Sequence, residues 1–251
     1  MSEAESAEFG SMARWTAQVA MELGAEYFVP AGCRGSGSPA ALDWLLNELD
    51  LSVDGSLLDC GAGVGGPAAY AAEARSVRPV LVEPEGDACW AAKTLFGHPV
   101  IQASGSALPV ADSSVDAAWA LGVLCTTTDQ LELLAELRRV VRPGGSIGLL
   151  VFVARGPVPC GTLPDNDFPT PDRLEHLILD AALRVERRLE TSALPAIPDA
   201  WTRRVDTVSD VLAERYSCAR AWQLAEQRSA AIGELLEAGV LTGELLVLRH
   251  A

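Results

Sequence analysis

Between Asp59 and Gly66 the chain reads Asp59-Cys60-Gly61-Ala62-Gly63-Val64-Gly65-Gly66, a carboxylate followed by a run of glycines. Where such a loop joins a strand to a helix, the backbone can close on a ligand held at the helix N-terminus. Gly61, Gly63 and Gly66 satisfy Gly-x-Gly-x-x-Gly, the fingerprint of dinucleotide sites. Glu83 stands at about the spacing where that fingerprint places an acidic partner for ribose hydroxyls. Asp59 separates the ligand classes. A carboxylate two residues ahead of the first glycine repels a diphosphate, whereas an ammonium or sulfonium group gains from it.

Few other residues offer chemistry. Of the 19 basic residues only Lys93 is a lysine, and nothing around it recommends a catalytic role. The six cysteines (33, 60, 89, 125, 160, 218) include no Cys-x-x-Cys and no metal-like pairing with the histidines, so neither a metal site nor a disulfide framework is expected. His98 precedes a proline on the side away from a ligand crevice, and His250 is next to the last residue. His176, flanked by Leu174 and Leu177, is the candidate general base. Tyr27, Trp201 and Tyr216 are candidate walls of an acceptor pocket, although at helical spacing such aromatics equally form core. Arg34, in a glycine-rich stretch, is a candidate partner for a ligand carboxylate.

These residues need elements to position them. The spacing predicts a loose tail to Gly10, a helix over 11–24, a flexible loop over 32–39 and a helix over 39–49. Strands are then predicted over 56–59, 79–83, 100–103, 116–121 and 146–153, with helices over 86–95 and 129–140 and a turn, Arg142-Pro-Gly-Gly145, before the fifth strand. Strands alternating with helices imply right-handed crossovers and a mostly parallel sheet covered on both faces. A Pro- and Gly-rich rim over 155–171 leads to a helix over 171–183. In the strand over 184–190, Val185 and Leu189 fall on one side. Residues 194–240 read as mainly helical, and a strand over 244–249 ends the series.

With the motifs in place, the block from Leu57 to Val153 resembles the class I S-adenosylmethionine (SAM)-dependent methyltransferases, in the branch that includes the ubiquinone and menaquinone biosynthesis enzymes. The resemblance rests on four motifs in the family's order. They are the hydrophobic-Asp-x-Gly-x-Gly-x-Gly loop, the acidic end of the second strand at Glu83, Leu108-Pro-x-x-Asp112-x-Ser-x-Asp116, and Pro143-Gly-Gly145. It implies that Asp59, Gly61 and Gly63 hold the methionine moiety, with Gly65 shaping the loop. It also implies that Glu83 accepts from the ribose hydroxyls, that Pro84 lies against the adenine, and that Ser106, Ala107 and Leu108 line the adenine edge. The resemblance further implies that Leu121 and Gly122 pass near the methionine end. The chain departs from the family at Ser106, where many members carry an acidic residue, and at Leu124-Cys125-Thr126, where many read Leu-His-His.

The implied fold is α/β, a Rossmann-like, doubly wound, mostly parallel seven-stranded sheet with an antiparallel last strand. The expected division is an N-terminal helical lid (1–50), a SAM-binding core (51–193), a helical insertion capping the acceptor (194–242) and the last strand of the core (243–251). Composition narrows the substrate. Among 251 residues, 34 are acidic and 19 basic, a formal charge of −15. Nucleic-acid binders neutralise phosphate with clustered Lys and Arg, so a small-molecule acceptor is expected and nucleic acid is not. An anionic membrane is disfavoured for the same reason, and the acidic first residues resemble neither signal nor transit peptide. The expectation is a cytoplasmic enzyme, monomer or homodimer, that converts SAM to S-adenosylhomocysteine (SAH). Its rivals are an NAD-dependent oxidoreductase and a non-catalytic SAM- or nucleotide-binding protein.

Overall fold

The structure, a computed structural model, describes residues 3–251, with side chains from residue 8 onward. Three helices come first: α1 (Glu3–Leu23), α2 (Phe28–Gly32), which follows a 3-10 turn over Ala25–Tyr27, and α3 (Pro39–Glu48). The alternating core follows as β1 (Ser56–Cys60), α4 (Gly66–Arg75), β2 (Arg78–Glu83), α5 (Gly86–Phe96), β3 (Val100–Gln102), β4 (Val115–Leu121), α6 (Gln130–Val140), β5 (Val141–Ala154), α7 (Pro171–Asp180) and β6 (Leu183–Glu190). Two long helices, α8 (Asp199–Tyr216) and α9 (Arg220–Glu237), precede β7 (Leu241–His250).

The helix starts follow local chemistry. Ser38 caps α3, its hydroxyl accepting from the Ala41 amide, and Thr170 does the same for α7 through Arg173; each helix then opens on a proline. Proline suits the first turn because its missing N–H would have no partner there. Glu85 caps α5 by accepting from the amides of Asp87 and Ala88.

The seven strands run in the order β3-β2-β1-β4-β5-β7-β6. β1 to β5 pair in parallel, and β7 is antiparallel to both β5 and β6. Both faces are covered, as a parallel sheet requires. Leu133, Leu134 and Leu137 of α6 and Leu174 and Ile178 of α7 fill one face. Leu42, Leu45 and Leu46 of α3, with Trp119 of β4, fill the other. The strand order reverses between β1 and β4, and the crevice outside their C-terminal ends is where open α/β sheets bind ligands.

Four local expectations are corrected. The expected tail to Gly10 is helical from Glu3, its first two residues lying outside the described ones. The Arg142-Pro-Gly-Gly145 turn sits inside β5: Val115 pairs with Val141 and Ala117 with Ser146, so four residues bulge opposite Asp116, which Arg142 pairs with. α7 ends at Asp180, ahead of β6, which starts at Leu183. Val185 and Leu189 lie on opposite faces, because a bulge between Val185 and Arg187 shifts the register. Val185 joins the face under α6 and α7, Leu189 the face under α3.

Candidate active site

Asp59, next to last in β1, lies on the face shared with Leu57 and Trp119 and is 2% exposed. Its Oδ2 reaches no donor. Burial pushes its carboxyl up to about 7, a rise that the Trp119 indole and the Ala68 amide oppose and nearby Glu83 adds to. The Trp119 Nε1 is near enough to oppose the rise but completes no well-aligned hydrogen bond. A buried carboxylate oxygen with no partner is uncommon and implies a missing donor. A ligand ammonium meets that need.

The glycine loop is knit to the end of β2. Gly61 and Ala62 donate to the Val82 carbonyl at 2.8 and 3.2 Å, and Gly63 donates to Glu83 Oε2 at 2.8 Å. Glu83 Oε1 accepts from the Glu85 amide at 3.0 Å. Glu83 is 3% exposed, and burial pushes it, too, up to about 7, against the pull of the two amides. Each carboxylate oxygen carries a further lone pair, so ribose hydroxyls can be accepted without releasing the loop. Gly61 adopts φ +71°, and a Cβ there would collide with Val123. Gly65 is the left-handed cap of α4. Gly66 lies directly under the backbone of Gly32 and Cys33, where no side chain fits.

The remaining expected cofactor residues lie at or beyond the C-terminal ends of β2, β3 and β4. Pro84 is exposed beyond β2, and its carbonyl accepts from Gln102. Ser106 bonds to the Ser104 hydroxyl at 2.9 Å, Ala107 is exposed, and Leu108 is buried with its amide donating to Glu136. Leu121 is buried at the end of β4, and Gly122 extends the sheet by donating to the Leu150 carbonyl. The two aspartates of the Leu108–Asp116 motif do other work: Asp112 pairs with Arg139, and Asp116 ties β4 to Ser56 at the start of β1. Arg139 also donates to the carbonyls of Leu108 and Val110, so it holds this segment in place.

His176 is not brought to this crevice. It is exposed on α7, and its Nδ1 lies 2.7 Å from the Asp172 carbonyl one turn earlier. The three aromatics do not converge on one pocket either. Tyr216 stacks on Trp15 at 4.0 Å, Tyr27 joins the same helical cluster, and Trp201 meets Tyr70 edge-on. Arg34 pairs with Glu226 of α9 at 2.9 Å.

Residues that sequence reasoning missed sit at the N-terminal end of α1. The Phe9 ring lies 3.5 Å from where a Gly63 Cβ would stand, and Gly10 abuts the Glu85 carboxylate. The helical repeat running back from Val19 through Trp15 and Met12 was the available signal, and acidic residues at 3, 5 and 8 favour a helix N-terminus. Among the described residues no group of three or more His, Cys, Asp or Glu is placed to hold a metal ion, and no helix is long and apolar enough to cross a membrane.

Comparison with known proteins agrees with the fold. Residues 58–149 match the methyltransferase domain family. An uncharacterized methyltransferase of Mycobacterium bovis is 38% identical over 117 residues, covering 45% of this chain and 46% of that one, so the match spans about half of the curated relative. Among solved structures, a geranyl diphosphate methyltransferase in complex with SAM superposes with a TM-score of 0.62 at 15% identity, over 84% of this chain and 85% of that one. The cyclase SpnF superposes with a TM-score of 0.65 at 20% identity, over 83% and 79%. At these identities the superpositions establish the fold. The family match places a methyltransferase domain at residues 58–149 and singles out no branch.

Proposed function

Starting from a chain whose residues 58–149 are a methyltransferase domain of the class I, SAM-dependent kind, we propose that the whole protein transfers a methyl group from SAM to a small-molecule acceptor, releasing SAH. The observation that carries this reading is the buried Asp59 carboxylate with an unpartnered oxygen beside the glycine loop. A diphosphate-bearing cofactor would meet that charge with repulsion.

When bound, SAM supplies an electrophilic methyl on a sulfonium. The chain's residues would do the rest. Asp59 takes the ammonium and Glu83 the ribose hydroxyls, while Pro84 and the Ser106–Leu108 segment frame the adenine. α1, with Phe9 over the loop, would act as part of a lid that keeps water out, and α8 and α9 as its outer half. Aligning two reactants supplies on the order of 7–11 kcal/mol. A general base is dispensable for an acceptor that is already nucleophilic, which suits a chain whose candidate base, His176, is turned to its own helix. The division into lid (1–50), core (51–193), insertion (194–242) and last strand (243–251) follows the same assignment of roles.

The charge of −15 supports a small molecule rather than nucleic acid as substrate, acting as monomer or homodimer. The six unpaired thiols suit a reducing, cytoplasmic setting. Mass spectrometry of SAH formed from SAM against a metabolite panel tests the activity. Acceptor-dependent SAH is the expected result; SAM binding with no turnover on any acceptor would favour a non-catalytic SAM-binding protein.

A further inference from the structure

Beside the methionine end of the crevice a second feature stands open. A cavity of about 330 Å³ lies beyond the C-terminal half of β5, between the loop over 33–38 and the segment over 191–197. Its lining neighbours the glycine loop through a row of packed contacts. Gly61 abuts Val123, the Gly35 carbonyl lies 3.0 Å from where a Gly122 Cβ would stand, and Gly37 sits against Leu150. The walls are Leu150 and Phe152 on the sheet side, Ala41 from α3, and Leu194, Ala196 and Ile197 facing them.

Among the described residues that line it, none is ionisable. The polar groups are the hydroxyls of Ser38 and Thr191 and the loop backbone. Ser38 Oγ accepts from the Ala41 amide at 3.3 Å, which leaves its proton to donate. A charged ligand would find no counter-ion on these walls and would give up part of its hydration to the apolar side chains. The volume is at the low end of the ~300–1,000 Å³ of small-molecule sites.

We propose that this cavity is the acceptor site, and that it selects an uncharged, mostly apolar acceptor of one or two rings or equivalent bulk, oriented by one hydrogen bond from Ser38. The assignment rests on the methyl-transfer reading for its role, but the binding selectivity stands on the cavity alone. The cavity offers no side chain that would take a proton from the acceptor, so a group needing deprotonation by the enzyme is a poor fit.

Calorimetry on the full chain, with and without SAH, using 1-naphthalenemethanol, 1-naphthoate and 1-naphthylmethylammonium as probes, tests this. The neutral alcohol should bind at least about tenfold more tightly than either ion. Ala196→Phe, a change at an exposed wall position, should weaken the alcohol by about tenfold or more and leave SAH affinity unchanged. An ion binding as tightly as the alcohol, no binding of the alcohol, or an Ala196→Phe chain that binds it unchanged would each overturn the proposal. Binding of the alcohol with no binding of SAH would support the cavity and sink the methyl-transfer reading instead.

Discussion

Asp59 and Glu83 are two carboxyl groups removed from water within one crevice, and both are held near neutrality by burial. Their folded values lie above the unfolded ones, so the folded chain keeps protons that the unfolded chain has released. Stability from this source is complete below about pH 4 and is lost as pH rises through about 7. Thermal scans of the ligand-free protein between pH 5 and 8 should therefore show the wild type losing stability relative to Asp59→Asn as pH rises. An equal dependence in both proteins would remove Asp59 as the source. Ligand affinity should run the other way. An ammonium needs the ionised carboxylate, so SAH should bind more tightly from pH 5.5 to 8, by at most about tenfold per unit below 7, and Asp59→Asn should flatten the curve. Calorimetry at four or five pH values reads this directly.

At the scale of elements, close approach of backbones fixes how the crevice is built. α2 crosses the start of α4 at Gly32 and Gly66, and a methyl group on Gly66 would run into the Gly32 and Cys33 backbone. Gly66→Ala should lower stability by about 1–3 kcal/mol in urea unfolding, as overpacking does. Gly233, inside α9, has nothing within 4 Å of a Cβ; Gly233→Ala should raise stability by about 0.5–1 kcal/mol, since glycine weakens a helix interior. Opposite signs are the test, and a neutral Gly66→Ala would mean that α2 can move aside. The alternating strands and helices were legible in sequence because buried parallel strands are short apolar runs punctuated by Gly and Pro. The bulges at Arg142–Gly145 and near Glu186 were not, because their positions are set by pairing partners distant in sequence, such as Asp116 and Val247. The start of α1 was missed because its polar first turns look like a tail, while Phe9 and Gly10 matter through contact with Gly63 and Glu85, which only the fold brings near.

Across the whole molecule, three arginines of a strongly acidic chain tie the helical cover together and to its surroundings. Arg14 pairs with Asp87 and lies over Trp90, Arg34 pairs with Glu226, and Arg228 pairs with Glu8 of α1 and Asp165 of the rim. Glu8 is buried, so removing this cation takes away part of what offsets a charge held out of water. Arg228→Met should loosen α1 and the rim together, seen as faster hydrogen exchange in the first turns of α1 and faster proteolysis within 155–171. Unchanged exchange in α1 would show that apolar packing with α5 and α8 holds the cover without the pair. The methyltransferase domain was legible in four ordered motifs; the cavity proposed for the acceptor was not, because its walls come from three separated segments with no shared motif. The most direct test of the account is calorimetry of the wild type and Asp59→Asn with SAH and with NADH. SAH should bind one per chain, NADH should not bind, and Asp59→Asn should weaken SAH by about 10- to 100-fold, as loss of a charged hydrogen bond does. Binding of NADH without SAH, or SAH affinity unchanged in Asp59→Asn, would contradict it.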